Sequence, residues 1–162
     1  MRFTRGMAAF AAVAVGFHPS SGPGSRASGG RSPVDACALL TQAQVSAVLG
    51  TQVEAGQRLV ASSARICGWS PPGGPVIDGK KVLVTLMTDR QFDLGKTPMR
   101  GITKTPVSGI GDDAYYVTAG GLGTTLSVKK GSFYVQVKVG GFPMDVEKEK
   151  EKVLALEVLA KA

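Results

Sequence analysis

Histidine is nearly missing from this chain. The one copy, His18, falls close to the N-terminus, so everything beyond it lacks the imidazole that Ser-His and Cys-His nucleophile pairs need and that many metal sites use. Cysteine is scarce too, with Cys37 and Cys67 the only two. Charged residues make up 19% against 43% hydrophobic, which excludes the highly charged, weakly apolar signature of disorder. The apolar run from Met7 to Phe17 is too short to cross a bilayer. At 162 residues the chain suits one domain with a proper core.

What is present begins with an export pattern. Arg2 and Arg5 give a positive start, the apolar run follows, and Pro19 to Pro33 is rich in Ser, Gly and Pro. The expectation is an export signal over 1–27, a flexible linker over 28–34 and a single domain over 35–162, placing the protein in the periplasm, in the cell envelope or outside the cell. An amphipathic or disordered N-terminus is the alternative. Losing Arg2, Arg5 and Arg26 leaves sixteen Lys or Arg against twelve Asp or Glu, and the basic residues stand singly or in pairs. No Arg-rich helix or aromatic-studded basic strand appears, so nucleic acid is not an expected partner.

In an oxidising compartment, two cysteines in a small domain read most simply as one bridge, Cys37 to Cys67. It would close a loop of about thirty residues, which the chain-entropy argument values at about 3.5 kcal/mol. The rival reading is a lipid anchor on Cys37, since Val34-Asp35-Ala36-Cys37 weakly resembles a lipoprotein processing site.

Thr41 and Gln44 form a capping box ahead of Val45, Val48 and Leu49, and Gly50 supplies a left-handed stop, predicting a short helix over 41–49. Strands are expected at 58–61, 64–69, 81–87, 114–118, 124–129 and 132–139, the last two joined around Lys130-Gly131. Gly95 and Pro98 break any period between Asp89 and Gly101, which reads as a long loop with at most one helical turn. Pro143 to Lys161 reads as a helix whose stripe is Val146, Val153, Leu156 and Ala160, widened by Leu154, Val158 and Leu159. Its middle, Glu147 to Lys152, alternates in sign and reads as a solvated face. The fold class expected is α+β: one antiparallel sheet of five or six strands, with a short N-terminal and a longer C-terminal helix on one face.

Few constellations could carry chemistry. Asp112-Asp113 could serve a carboxylate-based hydrolase with Asp78 or Asp89, provided two carboxylates lie within about 10 Å across a cleft. The plainer reading is a Gly-Asp turn. Gly109-x-Gly111 lacks a third glycine and precedes a strand, so a dinucleotide loop fails on context. Tyr134 falls on the polar side of its strand, and Tyr115 or Tyr116 must also point outward, so Tyr115, Tyr116 and Tyr134 form a candidate binding surface. If a helix covers that face, they are core rims instead.

Asp35-x-Cys37-x-Leu39-Leu40-Thr41, Val45-x-x-Val48-Leu49-Gly50, Cys67-x-Trp69 and Gly109-x-Gly111-Asp112-x-Ala114-Tyr115, followed by Lys130-Gly131 before a Val-rich strand and a closing helix, resemble a family of exported bacterial proteins containing a domain of unknown function, often lipoproteins. The resemblance spans about Asp35 to Ala162. It implies a paired Cys37 and Cys67 and an uncharacterised envelope role, and it supplies no catalytic residues. The functional expectation is a monomeric, non-enzymatic binding module with no metal, no cofactor and no transmembrane helix after processing. Its partner would be an unidentified small ligand or an envelope protein. A hydrolase, or an assembly role through the last helix, is the alternative.

Overall fold

A computed structural model of the protein describes residues 34–73 and 79–162. The expected export segment, all of the linker but Val34, and Asp78 lie outside the described residues. Asp35 opens the fold by accepting the Cys37 backbone N–H at 2.9 Å, which caps a 3-10 turn over Ala36–Ala38, and it also pairs with Arg58. Helix α1, Gln42–Leu49, starts on the expected capping box: Gln44 N–H donates to Thr41 Oγ1 at 3.2 Å and Thr41 N–H donates to Gln44 Oε1 at 2.9 Å. Gly50 ends it at φ +64°.

The strands are β1 (Gln57–Arg58), β2 (Ile66–Trp69), β3 (Lys81–Leu86), β4 (Ile102–Val107), β5 (Asp113–Ala119), β6 (Gly123–Lys130) and β7 (Phe133–Gly140). They form one antiparallel sheet in the order β1-β2-β3-β7-β6-β5-β4. The sheet thus has seven strands where five or six were expected. Strand β4 escapes a reading by period because none of its residues is fully buried and Pro106 interrupts it; as an edge strand paired only with β5, it needs no apolar alternation. The β6–β7 hairpin turns in two residues, but they are Gly131-Ser132 and not the expected Lys130-Gly131, because Lys130 still pairs with Phe133; Gly131 takes the positive φ, at +56°.

One face of the sheet carries Val82, Val84, Val135, Val137, Val139, Leu126 and Val128, all fully buried. Over it lie α1 and helix α3, Met144–Leu159. Cys37 and Cys67 are joined as a disulfide, with their Cα atoms 5.1 Å apart, tying the chain ahead of α1 to β2. The face α3 turns inward differs from the expected stripe. Leu154, Ala155, Val158 and Leu159 are buried, but so are Glu147 and Glu151, whereas Val146, Val153 and Leu156 are 40–49% exposed. The true period runs through the two glutamates, so reading apolar residues alone rotates the helix.

The expectation that helices cover only one face is also corrected. Residues 89–101 are not simply a loop: Asp89–Lys96 forms helix α2, capped by Thr88 and Gln91 in the same reciprocal way as α1, and it lies on the opposite face. Gly95, which argued against a helix, is what lets this one sit down. A Cβ there would stand 2.1 Å from the Tyr115 hydroxyl. Among the described residues no helix is long and apolar enough to cross a membrane.

Two variants test this arrangement. Gly95→Ala should lower stability by ~1–3 kcal/mol in urea unfolding, because the clash with Tyr115 outweighs the better helix propensity; a stabilised protein would contradict the close approach. Replacing Cys37 and Cys67 together by Ser should remove about 3.5 kcal/mol, since the loop closed spans 30 residues. Reduction of the intact protein should change its mass by two hydrogens, and an unchanged mass would contradict the bridge.

Candidate functional site

The three tyrosines do not share one surface. Tyr115 points to the α2 face and is buried, its hydroxyl donating to the Phe92 carbonyl at 2.8 Å; its ring meets Phe92 edge-on at 5.1 Å, and Tyr134 lies 5.7 Å from the same ring. Burial pushes the Tyr115 hydroxyl above its ordinary pKa. Tyr116, one residue on, faces the opposite way and donates to the Lys148 carbonyl of α3 at 2.7 Å. Its pKa is pushed up to about 12, by burial first and then by the Glu151 and Glu149 carboxylates. These rings anchor two helices to two sides of one sheet, and only Tyr134 keeps partial exposure.

The adjacent acids also serve the fold. Asp112 accepts the Gly131 N–H at 2.6 Å, closing the loop before β5 onto the β6–β7 turn, and Asp113 pairs with Lys96 at the end of α2. Asp89 stands at the other end of that helix, about 10 Å along its axis. None of the three shares a described cleft with another.

A different set of residues gathers where α3 begins. The β5–β6 turn, the end of β7 and the first turn of α3 enclose a cleft of about 520 Å³, floored by Gly121, Gly123, Gly140 and Gly141 and walled by Lys81, Lys138, Leu122, Phe142 and Met144. Glu147 lies at its inner edge, 5% exposed, accepting the Thr124 N–H at 3.4 Å and the Phe142 N–H at 3.5 Å. A Cβ on Gly123 would come within 2.6 Å of Glu147 Oε2, so this carboxylate reaches the backbone only because residue 123 is glycine. Lys81 also borders a smaller cleft of about 130 Å³ lined by Leu59, Leu83 and Trp69.

One turn further along α3, behind Glu147, Glu151 is fully buried and accepts the Val139 N–H at 3.1 Å through Oε1. Its Oε2 and the neighbouring buried Thr124 Oγ1 have no hydrogen-bond partner among the described residues. Burial pushes the Glu151 carboxyl up to about 8, with the Glu147 carboxylate adding to the rise and the Val139 N–H and Lys138 opposing it. Glu151 is therefore largely protonated at neutral pH.

Lys81, Lys138 and Glu147 carried no signal as a site in the sequence, because the strands and helix that bring them together are remote along the chain. The alternating charges at 147–152 concealed the rest. A readable clue was the apolar series 154, 155, 158 and 159 continuing back through 151 and 147 at helical spacing.

Glu151 makes stability depend on pH in a defined direction. Its ordinary value of 4.5 applies to the unfolded chain and about 8 to the folded one, so the folded state holds an extra proton between them. The contribution of Glu151 to stability is complete below pH 4.5 and is lost progressively as pH rises towards 8. Relative to the native protein, Glu151→Gln should therefore gain on the order of 4 kcal/mol across that window in urea unfolding at a series of pH values. A pH-independent difference would contradict the buried neutral acid. Compared with known proteins, the chain matches no family model, no curated protein and no solved structure.

Proposed function

We propose that this protein is an exported, non-catalytic binding module of the bacterial envelope, and that it holds a small ligand in the cleft at the start of α3. The observation that carries the reading is the cleft itself: about 520 Å³ with apolar walls, two ammonium groups and a glycine floor, a size and composition common to small-ligand sites. The Cys37–Cys67 bridge supports an oxidising compartment, in keeping with the export pattern of the first residues and the likeness to exported, often lipid-anchored, bacterial domains. The lack of histidine beyond His18, the tied cysteines and the structural duties of Asp112 and Asp113 support binding over catalysis.

One observation favours a second reading, assembly through α3. Val146, Val153 and Leu156 form an apolar line on its outer side at 40%, 48% and 49% exposure. Sedimentation of the intact protein separates the two: a monomer whose mass is unchanged by Val153→Lys excludes assembly through that line.

Native mass spectrometry of protein isolated from its own envelope tests the binding reading. A small-molecule mass should accompany the folded protein and should disappear in Met144→Trp, which fills the cleft, with circular dichroism unchanged. Bare protein in every preparation, or a ligand that Met144→Trp retains, would overturn the assignment of the cleft.

A further inference from the structure

We infer that the first half of α3, residues 144–151, is a proton-operated latch on the wall of the cleft: it stays docked on the strand ends while Glu151 is protonated and swings away when the proton leaves. The latch works in this way whatever the cleft holds.

The two halves of α3 are held by different means. The second half, residues 152–159, buries Leu154, Ala155, Val158 and Leu159, so apolar packing fixes it. In residues 144–151 the buried side chains are Glu147 and Glu151 alone, while Met144 and Val146 are 38% and 40% exposed. Pro143 stands at the N-cap and supplies no side-chain cap. Polar contacts therefore tie this half down. Glu147 accepts the Thr124 and Phe142 N–H groups at 3.4 Å and 3.5 Å, the long limit of a hydrogen bond, and Glu151 accepts the Val139 N–H at 3.1 Å. The Tyr116 hydroxyl donates to the Lys148 carbonyl at 2.7 Å, and the Lys150 ammonium donates to the Val48 carbonyl of α1. Gly141, at φ +88°, separates this half from β7 and provides the pivot. Phe142 and Met144 move with it, so the cleft of about 520 Å³ loses a wall when the latch opens.

A proton keeps the latch docked because nothing around Glu151 replaces the hydration of a charge. The carboxyl is fully buried, and its Oε2 has no hydrogen-bond partner among the described residues. Glu147, one turn away on α3, presents a like charge, and Glu149 adds another near Tyr116. Thr124 of β6 is neutral, Tyr116 of β5 has given its hydroxyl proton to the Lys148 carbonyl, and α1 carries no ionisable side chain. Lys138 of β7 is an opposing cation, and it also donates to the Leu122 carbonyl at 2.9 Å. Lys80 and Lys150 donate to the Leu49 and Val48 carbonyls, and Lys81 of β3 lines the cleft beside Glu147. Docked, the Glu151 carboxyl is pushed up to about 8, by burial first; swung into water it returns to its ordinary 4.5. The docked state thus holds a proton that the open state releases to solvent. Opening is favoured about tenfold per pH unit as pH rises between those two values, and it gains nothing further below 4.5 or above about 8.

Native-state hydrogen exchange from about pH 5 to about pH 9, each rate divided by the intrinsic rate at that pH, tests the latch. Amides 147–151, with those of Val139 and Phe142 that donate to the two glutamates, should be at least roughly tenfold less protected than amides 154–159. Their protection should fall roughly tenfold per pH unit and level off near pH 8. In Glu151→Gln, which keeps the volume and cannot ionise, protection of the same amides should stay constant across the series. Equal protection in the two halves of α3 would mean that the helix leaves only with the whole fold. That result, protection indifferent to pH, or a slope that Glu151→Gln retains would each overturn the inference, and the first two are read on the unaltered chain.

Discussion

The pairing of β7 with β3 joins the two halves of this protein. Lys81 to Leu86 run against Gly140 to Val135, so the last strand, β7, enters the sheet between the three strands β1 to β3 and the three strands β4 to β6. On one side this pairing completes the valine face that α3 covers, and on the other it sets Lys81 beside Lys138. It is also long-range in sequence, so the loop entropy of closing it is offset only when α3 and the valines pack together. The core face and the cleft therefore depend on the same strand pairing.

The helices show how that core tolerates polar groups. Helix α3 buries two glutamates among Leu154, Ala155 and Val158, a placement whose desolvation cost must be met by hydrogen bonds or by protonation. Glu147 takes the first route through backbone N–H groups of Thr124 and Phe142, and Glu151 combines the Val139 N–H with a raised pKa. Both tie the N-terminal half of α3 to strand ends, which are also the walls of the cleft. On the opposite face α2 has a smaller duty. Phe92 packs on Tyr115 and Tyr134 there, while Leu59, Leu83 and the lysines lie beside the two clefts beyond it.

The local devices were legible because each is contained in a few neighbouring residues. The capping box at Thr41 and Gln44, the stop at Gly50, the positive φ of Gly131 and the alternation of Val135, Val137 and Val139 all stand where their patterns put them. Helix α2 had an equally local cap in Thr88 and Gln91, but Gly95 cancelled it, since the reason for a glycine there is the hydroxyl of a tyrosine remote in sequence. The tyrosine surface failed for a related reason. Alternation correctly sends Tyr115 and Tyr116 to opposite faces, yet only the packing of α2 and α3 decides that both are covered.

By itself the sequence determined the α+β class, the antiparallel hairpins, the near absence of histidine and the two cysteines available for a bridge. Those follow from period, turn chemistry and composition, which act over a handful of residues or none. Tertiary structure alone decided the strand order, the side of the sheet each helix takes, the burial of Glu151 and the meeting of Lys81 with Lys138. These depend on which remote segments share a surface, and the free energy that selects among such pairings belongs to the packed whole and not to any one segment.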